Sequence, residues 1–227
     1  MLETIQKIFT AENILFLLNG AKLSLFIAVC ATILGTVLGI LTAACKISRS
    51  KVLNFIGKWY VDIIRGTPMM LQLSFFYLGV PMLYQMITGN YLGMASLPVG
   101  IIAIGINSGA YSCELIRSAI NSIDKGQWEA GLSIGLNRSE VLKEIVLPQS
   151  IKRIVPPMAS EFITLIKDSS LVSTIGVVEL NKSSTILGAR YYNYFFPMIG
   201  AGIIYFVLTL VISKFTGMIE RKFAESD

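Results

Sequence analysis

Polar and ionisable side chains recur at helical spacing inside apolar stretches of this sequence. Asn107, Tyr111 and Glu114 fall on one helical stripe, and Arg117 flanks it one turn from Glu114. If this stretch crosses a bilayer, each ionisable group costs roughly 2.5–3.5 kcal/mol and must face protein or water. The stripe therefore predicts a site for a polar or charged solute. The spacing also allows Glu114 and Arg117 simply to pair with each other.

A second stripe carries Glu161, Thr164 and Asp168 on one helical face, with Lys167 beside them. These side chains could complete the same site. The alternative is that Lys167 and Asp168 stabilise the outer end of a helix or an interface between subunits.

A polar segment punctuated by glycine lies between two long apolar stretches. It contains Gly126, Glu129, Ala130, Gly131 and Gly135. Small residues and an acid at helix-like spacing are suited to docking a soluble partner. The alternative is a solvated connector between two helices.

Composition indicates the class of protein. The chain has 227 residues, of which 54% are hydrophobic and 15% are charged, and its mean hydropathy is +0.67. A soluble domain of this length could not bury so much apolar surface, whereas a bilayer can. The net charge of +5 does not indicate nucleic acid, because the basic residues lie at the ends of apolar stretches. We therefore predict a single membrane domain over 1–227 and no nucleic-acid partner.

The sequence offers few metal ligands or catalytic groups. Histidine is absent, and Cys30, Cys45 and Cys113 are scattered in or beside apolar sequence, so neither a disulfide nor a metal site is expected. No cluster of nucleophile, base and metal ligands supports a membrane-bound enzyme. The N-terminus carries acids and no clear signal-peptide cleavage site, so 1–12 is predicted to form a short amphipathic helix on the membrane surface.

Five stretches have about the twenty residues that a helix needs to cross a bilayer. They cover 19–44, 55–80, 92–117, 151–175 and 195–219.

The run Gly66-Thr67-Pro68 interrupts the second predicted span. Proline at bilayer depth frees backbone groups, which is tolerated where they face a cavity. We interpret the break as a kink that acts as a gate. A kink that serves packing alone is the alternative.

Basic residues predict the orientation in the membrane. The connections after the first and third spans and the C-terminus are rich in Lys and Arg, and these regions lie on one side of a five-span protein. Such residues favour the cytoplasmic side. The N-terminus is therefore predicted outside, and the C-terminus and the glycine-punctuated segment are predicted in the cytoplasm.

The glycine-punctuated segment resembles the EAA loop of bacterial ABC importer permeases, whose pattern is Glu-Ala-Ala, three residues, Gly and a distant Pro. Glu129, Ala130, Gly135 and Pro148 match, and Gly131 stands where the second alanine is usual. Other matching motifs are Arg65-Gly66-Thr67-Pro68 with Gln72, Gly109-Ala110-Tyr111 with Glu114 and Arg117, Lys125-Gly126-Gln127, Pro148-Gln149, Pro156-Pro157, Lys167-Asp168-Ser169-Ser170-Leu171 and Glu179-Leu180. Over roughly 15–220 the chain is similar to the polar amino-acid permeases, which serve histidine, glutamine, arginine, glutamate and cystine importers.

The resemblance implies an all-α membrane protein with five transmembrane helices and the type I ABC importer permease architecture, in the bacterial cytoplasmic membrane. Such a subunit forms a translocation pore with a second permease subunit, identical or related. Two ATP-binding subunits and an external amino-acid-binding protein complete the importer. ATP and Mg belong to the ATPase subunits. This chain lacks a G-x-x-x-x-G-K-[ST] loop, so we expect it to hold no cofactor and to be no enzyme.

In this family the segment 123–137 would be the cytoplasmic coupling helix. The ATPase-docking residues would be Gly126, Glu129, Ala130, Gly131 and Gly135. ATP-driven closure of the partner would move this helix and the spans attached to it.

The resemblance also implies that the polar stripes bind an amino acid. Arg117 would bind its carboxylate, Glu114 or Glu161 would bind its ammonium group, and the neighbouring polar residues would complete the site. With Glu114 so used, Glu161 keeps an unpaired charge that the side chain of arginine, lysine or histidine would neutralise. Lys167 could satisfy Glu161 instead, leaving glutamine, cystine or another polar amino acid as the substrate. A secondary carrier or channel is the remaining alternative, but it has no need of an ATPase dock.

Overall fold

The computed structural model describes residues 2–224, and every regular element in that range is helical. The α-helices are α1 (Leu2–Ile8), α2 (Ala11–Ile47), α3 (Lys51–Gly66), α4 (Met69–Ser74), α5 (Val80–Thr88), α6 (Ser96–Asn121), α7 (Lys125–Ser133), α8 (Arg138–Glu140), α9 (Leu147–Asp168), α10 (Leu180–Arg190) and α11 (Phe195–Ala224). π-Helical turns over Phe75–Gly79 and Val141–Val146 join α4 to α5 and α8 to α9, and a 3₁₀ helix over Ser169–Ile175 follows α9.

Within the described residues, four helices are long and apolar enough to cross a membrane. They are Ala11–Ile47, Met69–Thr88, Ser96–Asn121 and Phe195–Met218. The first, third and fifth predicted spans correspond to three of them, with displaced ends.

The predicted amphipathic helix over 1–12 is divided in two, and Met1 lies outside the described residues. α1 ends at Ile8, whose side chain is fully buried. Thr10 then caps α2, because its hydroxyl accepts a hydrogen bond from the Asn13 N–H at 3.3 Å.

The bounds predicted for the second span, 55–80, are wrong. α3 ends at Gly66, Thr67 is extended with φ −123° and ψ 146°, and the apolar helix begins only at Met69. Proline has no N–H to donate and disfavours helical conformation in the residue before it, so α3 ends before Pro68. The run Gly66-Thr67-Pro68 is thus a junction between two helices and not a kink within one.

α9 occupies most of the predicted fourth span, 151–175, but it is not one of the four apolar helices. It carries five charged side chains in 22 residues, which would be costly in contact with lipid. α9 packs against α2, α6 and α11, so protein covers part of its surface.

α2 and α6 approach closely at the centre of the fold. A Cβ atom added at Gly35 would lie 2.7 Å from Ser108 Oγ, and one added at Gly39 would lie 2.5 Å from Ser112 Cβ. Side chains at these two glycines would therefore push the helices apart. Ser108 also donates a hydrogen bond to Glu161 on α9, so this contact fixes α6 between α2 and the polar face of α9.

Glu179, which precedes α10, is fully buried. Its carboxylate accepts hydrogen bonds from Ser24 Oγ on α2 at 3.2 Å and from the Tyr205 hydroxyl on α11 at 2.8 Å. The backbone N–H groups of Asn181 and Lys182 donate to it as well. Because a buried carboxylate is stable only when hydrogen-bonded, Glu179 fastens the start of α10 to both long helices.

Candidate functional site

A cavity of about 290 Å³ lies where α4, α6 and α9 meet the junction after α3. Its lining residues are Thr67, Pro68, Met69, Asn107, Tyr111, Glu161, Thr164 and Asp168. The structure thus brings predicted substrate-binding residues from two helices together with two of the three predicted gate residues. We refer to this space as the acidic cavity.

The wall of the acidic cavity carries two carboxylates and no basic side chain. Glu161 Oε1 accepts a hydrogen bond from Ser108 Oγ at 3.1 Å. Among the described residues, neither Glu161 nor Asp168 forms an ion pair. Within residues 2–224, which the structure describes, no group of three or more His, Cys, Asp or Glu could hold a metal ion. The wall can therefore attract cationic groups of an organic solute.

Gln72 holds the helix junction next to the acidic cavity. Its amide nitrogen donates to the Ile64 carbonyl at 2.7 Å and to Thr67 Oγ1 at 2.8 Å. Its amide oxygen accepts from Asn107 Nδ2 at 3.0 Å. The side chain therefore satisfies backbone groups that the end of α3 leaves open and joins the predicted gate to a residue of the cavity wall.

Arg65 supplies a cation beside the acidic cavity. Its guanidinium carbon lies 5.2 Å from the ring centroid of Tyr111, within the range of a cation–π interaction. Arg65 is exposed, and among the described residues it forms no ion pair. Its fork of N–H donors is therefore suited to a carboxylate that reaches the Tyr111 side of the cavity.

Glu114 and Arg117 do not line the acidic cavity. Arg117 Nη2 lies 2.7 Å from Glu114 Oε2, and Lys46 Nζ on α2 lies 2.6 Å from Glu114 Oε1. The internal pairing that their spacing allows is thus formed, and Lys46 extends it to a second helix. Lys167 is exposed, does not line the cavity, and forms no ion pair with Glu161 within the described range.

Arg65, Gln72 and Ser108 were not predicted from the sequence as site residues. Arg65 and Gln72 belong to the motif around the break, and Gln72 follows Pro68 by one helical turn. That spacing was a usable signal. Ser108 gave none, because a serine beside Asn107 has many structural roles.

The segment 123–137, predicted to be a coupling helix, contains the helix α7, Lys125–Ser133. Asp124 caps its N-terminus by accepting a hydrogen bond from the Gly126 N–H at 2.7 Å. Gly135 follows its C-terminus with φ +92°, a left-handed conformation that glycine adopts without strain. These two residues set the ends of the helix.

The predicted docking residues do not share one environment. Gly126, Glu129, Ala130 and Gly135 are exposed, whereas Gly131 is buried. An added Cβ at Gly131 would lie 2.7 Å from Val141 Cγ2. Gly131 therefore lets α7 pack closely against the helical turn that follows α8.

Hydrogen bonds connect the region of α7 to the cavity helices. Gln149 Nε2 on α9 donates to Gln127 Oε1 on α7 at 3.0 Å. Arg153 on α9 donates to the carbonyl and hydroxyl oxygens of Ser122 at the end of α6. α7 is thus joined to α9, and α9 to the end of α6.

Comparison with known proteins identifies the family. The sequence model of the family described as binding-protein-dependent transport system inner membrane component matches residues 35–225. The putative glutamine transport system permease protein GlnP of Rickettsia bellii is 39% identical over 212 residues, covering 93% of this chain and 94% of the relative. The arginine transport system permease protein ArtQ of Bacillus subtilis is 38% identical over 218 residues, covering 96% of this chain and 97% of the relative.

A solved structure agrees with these relatives. The crystal structure of an amino acid ABC transporter with histidines superposes with a TM-score of 0.85 at 34% identity, covering 91% of this chain and 94% of the other. The resemblance to the EAA-loop permeases is confirmed, and a self-sufficient carrier or channel is set aside. The chain belongs to the inner membrane components of binding-protein-dependent transport systems and is the permease subunit of an amino-acid ABC importer, with ATP hydrolysis on separate chains.

Proposed function

We propose that this permease subunit carries a basic amino acid, arginine, lysine or histidine, and binds it in the acidic cavity. The observation that carries the proposal is the charge of the wall, which has two carboxylates and no basic side chain. A basic amino acid brings two cationic groups, its α-ammonium and its side chain. Glu161 and Asp168 can pair with one each, whereas a substrate with an uncharged side chain would leave one carboxylate without a cation from the substrate, at a cost in free energy.

Arg65 is the residue that we propose for the substrate carboxylate. Arg117 was predicted for this role, but it is already held by Glu114 in the pair that also includes Lys46. Arg65 instead lies over Tyr111, whose side chain lines the cavity. A carboxylate bound there would lie beside the helix junction, so binding would act directly on the proposed gate.

Glutamine is the second candidate substrate. The amide of Asn107 in the cavity wall could pair with the glutamine amide, and the relative from Rickettsia bellii is named for glutamine transport. The charge of the wall favours a basic substrate over this alternative.

We further propose a pore of two permease subunits, identical or related, with two ATP-binding subunits and an external amino-acid-binding protein. The exposed side of α7, with Glu129 and Ala130, supports docking of the ATPase there. α9 would be the fifth span, with its charged face turned to the pore. In this proposal the N-terminus lies outside and the C-terminus in the cytoplasm, which the basic connections support.

In this mechanism ATP-driven closure of the ATPase subunits displaces α7. The hydrogen bond between Gln127 and Gln149 passes the movement to α9, and the one from Arg153 to Ser122 passes it to α6. Both helices contribute walls to the acidic cavity, so its opening changes with the nucleotide state.

The test is uptake by the complete importer, reconstituted in liposomes with ATP inside and the cognate binding protein outside. Wild type is expected to prefer arginine, lysine or histidine to glutamine. Glu161→Gln and Asp168→Asn should each lower uptake of the basic amino acid at least about tenfold, because each leaves a substrate charge unpaired.

Asp62→Asn is the matched control, since Asp62 is an exposed carboxylate on α3 outside the cavity wall. Its uptake should equal that of wild type. A wild-type importer that carries glutamine and ignores basic amino acids would overturn the substrate assignment. Equal uptake by all three variants would overturn the assignment of the cavity.

A further inference from the structure

A second cavity, of about 550 Å³, lies between the end of α2 and the segment that joins α7 to α9. Arg49 comes from the connection after α2, Trp128 from α7, and Arg138 from the start of α8. None of the residues that line it is acidic. We call it the basic cavity, because its wall has the opposite charge to that of the acidic cavity.

The two arginines of the basic cavity are available for an anion. Both are exposed, and within the described residues neither forms an ion pair. The nearby Lys46 differs, since it is held by Glu114. Two guanidinium groups beside one space can share the oxygens of a phosphate, whose geometry their N–H donors match.

The apolar part of the wall favours a lipid over a free phosphate as the ligand. Ile47 is the last residue of the apolar helix α2, and 43% of its surface is exposed. Leu142 and Trp128 face the same space. The cavity thus lies at the end of an apolar helix, and tryptophan is enriched where apolar helices meet lipid headgroups.

We propose that the basic cavity binds the phosphate headgroup of an anionic phospholipid, with Arg49 and Arg138 as its ligands. The acyl chains would extend along the exposed apolar side of α2 near Ile47. A lipid held there bridges the end of α2 to Trp128 on α7, so it would fix the coupling helix relative to the membrane. The site rests on the proposed function only in the role given to α7, because lipid binding itself requires no substrate.

The test uses the purified importer with its ATPase subunits, in detergent with excess phosphatidylglycerol or excess phosphatidylcholine. Retained lipid is counted by native mass spectrometry. The variants are Arg49→Gln, Arg138→Gln and the double variant. Lys51→Gln is the matched control, because it removes one positive charge two residues from Arg49 but does not line the cavity.

Wild type should retain phosphatidylglycerol over phosphatidylcholine, and retention should fall about fivefold with each arginine removed. Lys51→Gln should behave like wild type, and millimolar inorganic phosphate should displace little lipid. Unchanged retention in the double variant, or an equal loss in Lys51→Gln, would overturn the proposal. Displacement by inorganic phosphate would assign a free-anion site instead.

Arg138 also lines a smaller cavity with Trp128 and Leu132, so an acidic surface of the ATPase subunit is the competing occupant. If the double variant lost that subunit in phosphatidylcholine alone, the ATPase would be the occupant of the basic cavity, and the lipid proposal would be overturned. The substrate assignment is tested by uptake selectivity, which can fail while lipid retention follows the expected pattern. Failure of one proposal is therefore distinguishable from failure of the other.

Discussion

Replacing Gly131 with alanine would restore the residue that is usual at this position of the EAA motif. We nevertheless expect it to weaken the packing of α7 against Val141. The added Cβ would lie 2.7 Å from Val141 Cγ2 and 2.8 Å from Ile145 Cδ1. The isoleucine methyl is the end of a flexible side chain and can move. Val141 is completely buried, and a β-branched side chain in a helix has one strongly preferred rotamer, so it resists displacement.

The expected magnitude is a difference between two opposing effects. Overpacking a well-packed site costs about 1–3 kcal/mol. Alanine in place of glycine favours the helix by about 0.5–1 kcal/mol. The net effect is a loss of about 1 kcal/mol in the free energy that holds α7 against Val141, or about a fivefold increase in the undocked population.

Hydrogen exchange of the α7 amides in the purified permease measures this local opening. Gly131→Ala should raise their exchange rates about fivefold. The control is Gly202→Ala in α11, where an added Cβ meets nothing within 4 Å and exchange in α7 should not change. Slower exchange in Gly131→Ala than in wild type would refute the packing argument, because helix propensity would then have outweighed the close contact.

A compensating substitution tests the contact itself. Val141→Ala removes the methyl group nearest to the added Cβ, so it should cost less in the Gly131→Ala background than in wild type. We expect an interaction energy of about 1 kcal/mol in the double-mutant cycle, in favour of the double variant. Additive effects would show that the two side chains do not meet.

Three further predictions concern other parts of the protein. Glu129→Arg should detach the ATPase subunit during co-purification without lowering the melting temperature of the permease, because Glu129 is exposed; full retention of the subunit would contradict the docking role. Pro68→Ala should slow uptake more than it weakens assembly, since a more continuous helix would stiffen the junction that Gln72 holds; uptake equal to wild type at equal expression would leave the junction a structural role only. Glu179→Leu should destabilise the protein by about 3 kcal/mol or more in thermal unfolding, because it leaves the half-buried hydroxyl of Tyr205 and two backbone N–H groups without their acceptor. Glu179→Gln should cost less, and equal melting of the two variants would contradict this account.

Local sequence determined the elements and many of their faces. Apolar stretches of about twenty residues identified three of the four apolar helices, because a bilayer requires that length. Pro68 marked a break, since proline ends a helix by removing a donor and restricting its neighbour. The 3.6-residue period placed Glu161, Thr164 and Asp168 on one face, and the structure turns that face to the acidic cavity.

The bounds predicted for the second span are wrong because of the same break. The predicted span 55–80 joined residues on both sides of Pro68, since a hydropathy pattern averages across a short interruption. Whether such a break bends one helix or separates two depends on the conformation of Thr67, which Gln72 stabilises from the next helix.

Only the tertiary structure decided which charged groups meet. Glu114 has Arg117 one turn away, but its second cation, Lys46, is 68 residues distant in sequence. Arg65 belongs to α3, yet its guanidinium lies over the ring of Tyr111 on α6. Gly131 is buried because Val141 packs against it. Periodicity specifies the direction of a side chain about its own helix axis, whereas the choice among several chemically equivalent partners follows from how the helices pack.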